Sequence, residues 1–188
     1  MEWGISLLFP ATVLVMLTLG DARFTLLCLL ASLLHESGHF IAMWLLGDPP
    51  ARVIFGVFGA RVERRRLSAA GYGARAIVSL CGPLANLLCA AVLYPRVGHA
   101  DAVLIHALLG TFHLLPAAGL DGGEAVKSLL CRRCSPATAD RLVTVLSVAV
   151  LLPMATAGFF VLLKTGYNAS LLILAVYLIL LLIFKEND

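Results

Sequence analysis

Long apolar stretches with almost no charged residue are the feature that most constrains the fold of this chain. Crossing about 30 Å of bilayer hydrocarbon takes about 20 helical residues. Stretches approaching that length lie near residues 3–20, 24–46, 75–95, 102–118, 142–163 and 169–184. Hydrophobic residues make up 61% of the chain and charged residues 13%, whereas an average soluble domain is about 45 to 50% apolar. The sequence predicts an all-α polytopic membrane protein with about six transmembrane helices.

The connections between these spans are too short to form a soluble domain. The longest run from Gly47 to Ala74 and from Gly119 to Arg141. The first apolar stretch lacks the basic start and small-residue cleavage site of a secretory signal, so it is expected to stay as a span. We therefore expect residues 1–188 to form a single membrane-embedded domain.

Lysine and arginine residues concentrate on one side of the predicted topology. Three of them, Arg23, Arg96 and Lys164, fall on the face opposite the termini. The other basic residues share the face of both termini: Arg52, Arg61, Arg64, Arg65, Arg66, Arg75, Lys127, Arg132, Arg133, Arg141 and Lys185. Because cytoplasmic loops are enriched in Lys and Arg, the pattern predicts a multi-pass cell-membrane protein with both termini in the cytoplasm. The run "RVERRR" is then a topology signal, and no nucleic-acid partner is expected.

Residues 53–64, "VIFGVFGARVER", depart from the helical pattern. Their β-branched and aromatic residues, followed by alternating apolar and charged residues, predict a short β-hairpin between the second and third spans. An open sheet edge cannot face lipid, so the hairpin is expected at the membrane interface. Two interpretations stay open: a plain interfacial hairpin, or an edge that pairs with an extended peptide.

Two stretches rich in proline and glycine are expected to interrupt the helices. They are "CGPLAN" at 81–86 and "HLLPAAGLDGG" at 113–123. Irregular backbone at membrane depth is tolerated only against protein or a water-filled cavity. Both stretches are therefore candidates for lining an internal site.

The pair Cys131 and Cys134 forms a CxxC motif in a connection assigned to the cytoplasm. A structural zinc site would need a second pair of ligands at suitable spacing. No such pair follows, so the sequence does not assign the motif to a metal site and leaves its role open.

The motif that carries chemistry is "LLHESGHFIAMW" at residues 33–44, which places His35, Glu36 and His39 inside an apolar span. On a helix, side chains four residues apart lie on one face, so both imidazoles can bind one zinc ion. An ionisable group at the bilayer centre costs about 2.5 kcal/mol or more, so a cluster implies joint use. A metal site is the favoured interpretation, and a structural histidine pair is the alternative.

Catalytic zinc usually takes three protein ligands and leaves one position for water, so a third ligand is needed. The candidates in or beside the spans are Asp121, His113, His106, His99, Glu124 and Asp101. Both His99 and Asp101 fall on the extracytoplasmic side. Asp121 has the best setting because it follows a flexible stretch, and glycines at 122 and 123 leave room around it.

The order HExxH, Gly-Pro-x-x-Asn and Leu-Asp-Gly-Gly resembles the site-2 protease family of intramembrane zinc metalloproteases, above all the branch of stage IV sporulation protein FB. The resemblance covers about residues 30–127, and a catalytic core is expected at about 24–127. It implies that His35, His39 and Asp121 bind one Zn²⁺ per chain and that Glu36 is catalytic. It further implies hydrolysis of peptide bonds in membrane-associated protein substrates, including activation of a membrane-tethered transcription factor.

The chain departs from the family pattern at His113, where the family usually has Asn. His113 and Asn86 are therefore candidates for contacting substrate or the oxyanion. Packing alone, or direct contact with the metal, are the alternatives for His113. No nucleotide-binding or peptide-binding domain is evident, so substrate selection is expected to use the membrane domain itself or a separate regulatory membrane protein.

Two other functions are weighed against proteolysis: a metal-binding membrane transporter, and an inactive family member that only binds substrate. A transporter should carry polar residues on several spans, but the first, fifth and sixth predicted spans have almost none. An inactive member should lack part of the motif set, whereas this chain has His35, Glu36, His39 and Asp121. His35 would lie near mid-bilayer and Asp121 near the cytoplasmic end of its span. The two can meet if residues 113–123 dip into the membrane, or if the second span extends less deeply than drawn, and the site is expected in the cytoplasmic half.

Overall fold

The structure, a computed structural model, describes residues 2–5, 14, 18, 20–47, 50–56, 59–64, 71–98 and 100–185. The chain divides into two compact units, Met1–Phe112 and His113–Asp188. The elements in chain order are β1 (Glu2–Ile5), α1 (Ala22–Leu45), β2 (Pro50–Gly56), β3 (Gly59–Arg64), α2 (Tyr72–Val97), α3 (Asp101–His113), α4 (Asp121–Leu130), α5 (Pro136–Thr165) and α6 (Ser170–Lys185).

Helix α1 carries the HExxH motif and begins at a side-chain cap. The Asp21 carboxylate accepts a hydrogen bond of 2.9 Å from the Phe24 N–H, which satisfies a donor left over at the helix start. The helix turns outward its large apolar side chains, such as Leu33 at 61% exposure, and buries small or polar ones, such as Ala31 and His35. This inside-out distribution suits a helix surrounded by lipid.

Small residues let α1 and α2 pack closely. A β-carbon on Gly38 would lie 2.5 Å from the Cys81 carbonyl oxygen, so glycine is required for this approach. Small residues at helix contacts are typical of membrane bundles, where close packing replaces the hydrophobic effect. Helix α2 runs unbroken through Pro83, so the interruption expected at residues 81–86 is wrong. Neighbouring helices let membrane helices tolerate such prolines.

The strands form one sheet in the order β1–β2–β3. Strand β1 is parallel to β2, with Glu2 opposite Arg52, and β2 is antiparallel to β3, with Gly56 opposite Gly59. The predicted two-stranded hairpin is thus replaced by a three-stranded sheet. The predicted first span, 3–20, is wrong at its start, because Glu2–Ile5 is a strand. Residues 57 and 58 of the predicted hairpin lie outside the described residues, as does most of 6–19.

The second unit starts with a turn between His113 and helix α4. Helix α5 begins at Ser135, whose hydroxyl accepts from the Thr138 N–H, with Pro136 in the first turn. It ends at Gly166, whose φ of +74° is the left-handed conformation common at helix ends. Helix α6 packs against α5 at Gly158, where a β-carbon would meet the Leu172 backbone at 2.6 Å.

The predicted fold class is wrong in its number of spans. Among the described residues, three helices are long and apolar enough to cross a membrane: α1, α2 and α5. Helix α3 has 13 residues because the apolar stretch 102–118 leaves the helix after His113, and α6 has 16 residues. Both are shorter than the length of about 20 residues that hydrocarbon requires. Hydropathy finds apolar stretches, but it does not find where a helix ends inside one.

Candidate metal centre

His35 and His39 lie one turn apart on α1 and point their Nε2 atoms at each other. The two nitrogens are 3.2 Å apart, and the ring planes make an angle of 75°. His35 is 3% exposed, and His39 is partly buried. Two imidazoles that converge through one nitrogen each are arranged as chelating ligands.

A backbone carbonyl fixes the His39 ring. Its Nδ1–H donates to the Val78 carbonyl oxygen of α2 over 2.8 Å. Because the carbonyl can only accept, the proton of the neutral ring lies on Nδ1, and the Nε2 lone pair faces His35. Such a partner on the far side of the ring is typical of metal-binding histidines.

Asn86 holds the far side of His35. This α2 residue is 0% exposed, and its Nδ2 lies 3.1 Å from His35 Nδ1. Its Oδ1 lies 2.9 Å from Nδ1 of His106, a buried residue of α3. The sequence predicted that Asn86 contacts substrate or the oxyanion and that His106 is a candidate metal ligand, but it did not connect either residue with His35. The sequence feature that marked both residues is that each is polar and lies within an apolar segment.

Glu36 follows His35 directly on α1 and is partly buried. The neighbouring Ser37 returns its hydroxyl to the Leu33 carbonyl over 2.7 Å, so that side chain is bound to its own helix. Glu36 is the carboxylate residue that α1 carries directly beside its histidines.

In the second unit, Asp121 is the first residue of α4 and pairs with His113. The His113 Nδ1 lies 2.8 Å from Asp121 Oδ2, and the two side chains are 30% and 22% exposed. A carboxylate in the first turn also interacts favourably with the helix dipole. The structure thus places His113 against the predicted third ligand.

The turn before Asp121 is compact because two glycines lie under it. A β-carbon on Gly122 would come within 2.2 Å of the Leu114 carbonyl oxygen, and one on Gly123 within 2.1 Å of that of Ala117. The Ser147 hydroxyl of α5 accepts from the Ala118 N–H over 2.7 Å. Residues 114–118 therefore fold back onto the start of α4, which sets the position of Asp121 within this unit.

The histidine pair fits zinc by distance and by chemistry. Two Zn–N bonds of about 2.0 to 2.1 Å at a tetrahedral angle separate the nitrogens by about 3.3 to 3.4 Å. The observed separation of 3.2 Å is close to that value. Neutral imidazole is a preferred zinc ligand, and both rings have a hydrogen-bond partner on Nδ1.

Comparison with proteins of known structure identifies the fold. The chain superposes on the site-2 protease from Methanocaldococcus jannaschii with a TM-score of 0.67 and 18% sequence identity, over 95% of this chain and 88% of that one. No protein-family model matches the sequence. No curated protein matches it either. The chain is therefore a membrane protein with the fold of a site-2 protease.

Proposed function

We propose that this protein is a zinc-dependent intramembrane endopeptidase that cleaves membrane-associated proteins. The observation that carries the proposal is the pair His35 and His39, whose Nε2 atoms converge to 3.2 Å inside an apolar helix. Glu36 lies between them in sequence, as a metalloprotease base should. The fold of a site-2 protease supports the same reaction.

The proposed ligands are two imidazoles and one carboxylate. His35, His39 and Asp121 are proposed as these ligands because the order of the HExxH and Leu-Asp-Gly-Gly motifs implies them. Two histidines and a carboxylate leave a fourth position for water, as catalytic zinc sites do. One Zn²⁺ per chain is proposed.

In the proposed reaction, Glu36 moves the protons. When bound, zinc lowers the pKa of a water ligand to about 7 and polarises a peptide carbonyl. Glu36 accepts the proton that water loses as it attacks the carbonyl, and later gives it to the leaving amine. Val78 and Asn86 hold the two imidazoles in place during this transfer. His113 remains the candidate for contacting substrate or the oxyanion, whereas Asn86 is 0% exposed and lies against His35 and His106, which supports a positioning role instead.

The experiment uses purified protein in lipid vesicles with a single-span test substrate. Wild type should cleave it, and a zinc chelator should stop cleavage. Glu36→Gln should retain zinc and lose cleavage, whereas His39→Ala should lose both. Cleavage by Glu36→Gln would contradict the assignment. Zinc transport into the vesicles without cleavage would favour the alternative of a metal-binding transporter. Substrate binding without cleavage would favour the alternative of an inactive family member.

Substrate identity and partners form a finer part of the proposal. Resemblance to the sporulation branch points to a membrane-tethered transcription factor as substrate, with a separate membrane protein as regulator. What supports this is the motif order alone. Proteomics of cells carrying Glu36→Gln should reveal membrane proteins that accumulate uncut. The identity of these proteins tests the proposed substrate and the proposed regulator.

The multi-pass orientation, with both termini in the cytoplasm, is likewise proposed from the distribution of Lys and Arg. A fluorescent protein fused after residue 188 should fluoresce. A periplasmic alkaline phosphatase inserted after Gly98, in the connection between α2 and α3, should be active. The opposite pattern would reverse the orientation.

A further inference from the structure

The second unit contains a cavity of about 350 Å³ between α4, α5 and α6. Lys127 of α4, Asp140 and Arg141 of α5 and Leu182 of α6 line it. Its volume lies within the range of small-molecule sites, about 300 to 1,000 Å³. None of the proposed metal ligands is among the residues that line it. The cavity is therefore a candidate binding site in its own right.

Positive charge is in excess at this cavity. The Asp140 Oδ1 lies 2.5 Å from the Lys127 Nζ, so these two charges largely neutralise each other. Arg141 is exposed and supplies a second cation. Among the described lining residues, two cations thus face one carboxylate. The cavity suits a ligand that carries one negative charge.

The charged side of the cavity lies where a bilayer has its headgroups. Helix α5 is long and apolar enough to cross a membrane. Between Arg141 and Lys164 it contains no charged residue. That stretch, 142–163, is about 33 Å long at about 1.5 Å per residue, close to the ~30 Å thickness of the hydrocarbon. Arg141 therefore marks the level at which hydrocarbon ends.

The rest of the cavity is suited to an apolar ligand group. Val143 of α5 and Leu182 of α6 contribute apolar wall. Their neighbours in sequence, Leu142 and Leu181, are exposed and offer apolar surface along the two helices. A free phosphate ion would use the charge and leave this wall unused, and a nucleotide base would bury polar edges against it at a cost.

We propose that the cavity binds the headgroup of an anionic phospholipid. The phosphodiester, with its one negative charge, lies against Arg141 and Lys127, and the acyl chains lie along α5 and α6. Arginine binds phosphate oxygens through two parallel hydrogen bonds, and basic pockets between membrane helices bind anionic headgroups. Lipid binding here depends on neither zinc nor cleavage, so it is tested separately from the proposed protease.

The test uses purified full-length protein in a neutral detergent, titrated with phosphatidylglycerol or with phosphatidylcholine. Native mass spectrometry counts the lipids that each chain retains. Wild type should retain one phosphatidylglycerol, bound about 10-fold more tightly than phosphatidylcholine. Equal retention of the two lipids would overturn the proposal.

Two substitutions of arginine separate a site from general charge attraction. Arg141→Gln should bind phosphatidylglycerol about 10-fold more weakly, the scale of one lost charge-assisted hydrogen bond. Arg133→Gln is the matched control, because Arg133 is also exposed in this unit but does not line the cavity. It should bind like wild type. Equal losses in the two variants would show attraction to the surface as a whole and contradict the site.

A third variant tests the cavity without changing any charge. Ala137 is exposed in the first turn of α5 and lines the cavity, so Ala137→Phe should fill it and reduce retention of phosphatidylglycerol. Unfolding in phosphatidylcholine vesicles should match wild type for each variant. Phosphatidylglycerol should raise the unfolding temperature of wild type, because a ligand stabilises the state that binds it, and should raise that of Ala137→Phe less.

Three results would overturn the assignment. Ala137→Phe that retains phosphatidylglycerol like wild type would place the lipid elsewhere. Inorganic phosphate that displaces phosphatidylglycerol at equal concentration would make the cavity a site for soluble anions. A hexaglutamate peptide that does so would indicate an acidic protein partner instead of a lipid.

Discussion

Gly82 lies so close to His39 that a β-carbon at position 82 would come within 2.2 Å of the imidazole Nε2. The glycine therefore makes room on α2 for a ring that projects from α1. The same ring donates to the Val78 carbonyl one turn earlier on α2. Contact with α2 thus both accommodates and orients the proposed ligand.

Gly82→Ala should weaken zinc binding by at least about 10-fold, the usual scale when the setting of a metal ligand is disturbed. The clashing atoms belong to a side chain, Nε2 at 2.2 Å and Cε1 at 2.6 Å, so the ring can move while the helices stay in place. Thermal unfolding should therefore change little. Chelator competition and circular dichroism measure the two effects, and unchanged zinc affinity would contradict the prediction.

Gly38→Ala should instead destabilise the protein. Its β-carbon would meet backbone, 2.5 Å from the Cys81 carbonyl oxygen, so α1 and α2 must separate. Overpacking costs about 1 to 3 kcal/mol, of which about 0.5 to 1 kcal/mol is offset by the better helix propensity of alanine. Gly71→Ala is the control, because a β-carbon there meets nothing within 4 Å. Equal unfolding free energies for the two variants would count against the packing argument.

The spacing of His35 and His39 sufficed to predict that both rings share a face, because helical periodicity is local. Their hydrogen-bond partners could not be predicted in that way. Val78, Asn86 and His106 come from other helices, and which residues meet across helices depends on how closely the backbones pack. Gly38 and Gly82 determine that packing, and a glycine in a sequence does not reveal what lies beside it.

The strand pattern at residues 53–64 depended on local alternation, whereas the pairing of β1 with β2 joins residues about fifty positions apart. An apolar run such as 3–20 fits a buried helix or a strand equally well over its first residues, so periodicity alone does not separate them. Helix α3 illustrates a similar limit, since the apolar stretch continues beyond His113, where the helix ends.

Ser147→Ala should destabilise the turn that precedes Asp121. The Ser147 hydroxyl donates to the Val143 carbonyl and accepts from the Ala118 N–H. Without it, a buried N–H loses its partner, which costs about 1 to 3 kcal/mol. The control is Thr156→Ala on the same helix, because that hydroxyl also bonds the carbonyl four residues back but is exposed. Chemical unfolding should show a larger loss of unfolding free energy for Ser147→Ala than for Thr156→Ala. Equal losses would contradict a stabilising role of the hydrogen bond from the Ala118 N–H.

His113→Ala should lower zinc affinity by about 10-fold, because the Asp121 carboxylate loses the donor that orients it at 2.8 Å. His113→Asn keeps an N–H donor of similar reach and should recover most of the affinity. In the neutral ring, donation from Nδ1 leaves Nε2 as an acceptor, so the imidazole cannot also donate to an oxyanion through Nε2.

The pair of variants separates the roles considered for His113. If Asn restores both zinc affinity and cleavage, the residue serves through its hydrogen bond to Asp121. If Asn binds zinc as weakly as Ala, the ring itself contacts the metal. Should both variants bind zinc like wild type while only cleavage falls, His113 acts on substrate, because a group that orients a metal ligand cannot be lost without changing the affinity for the metal.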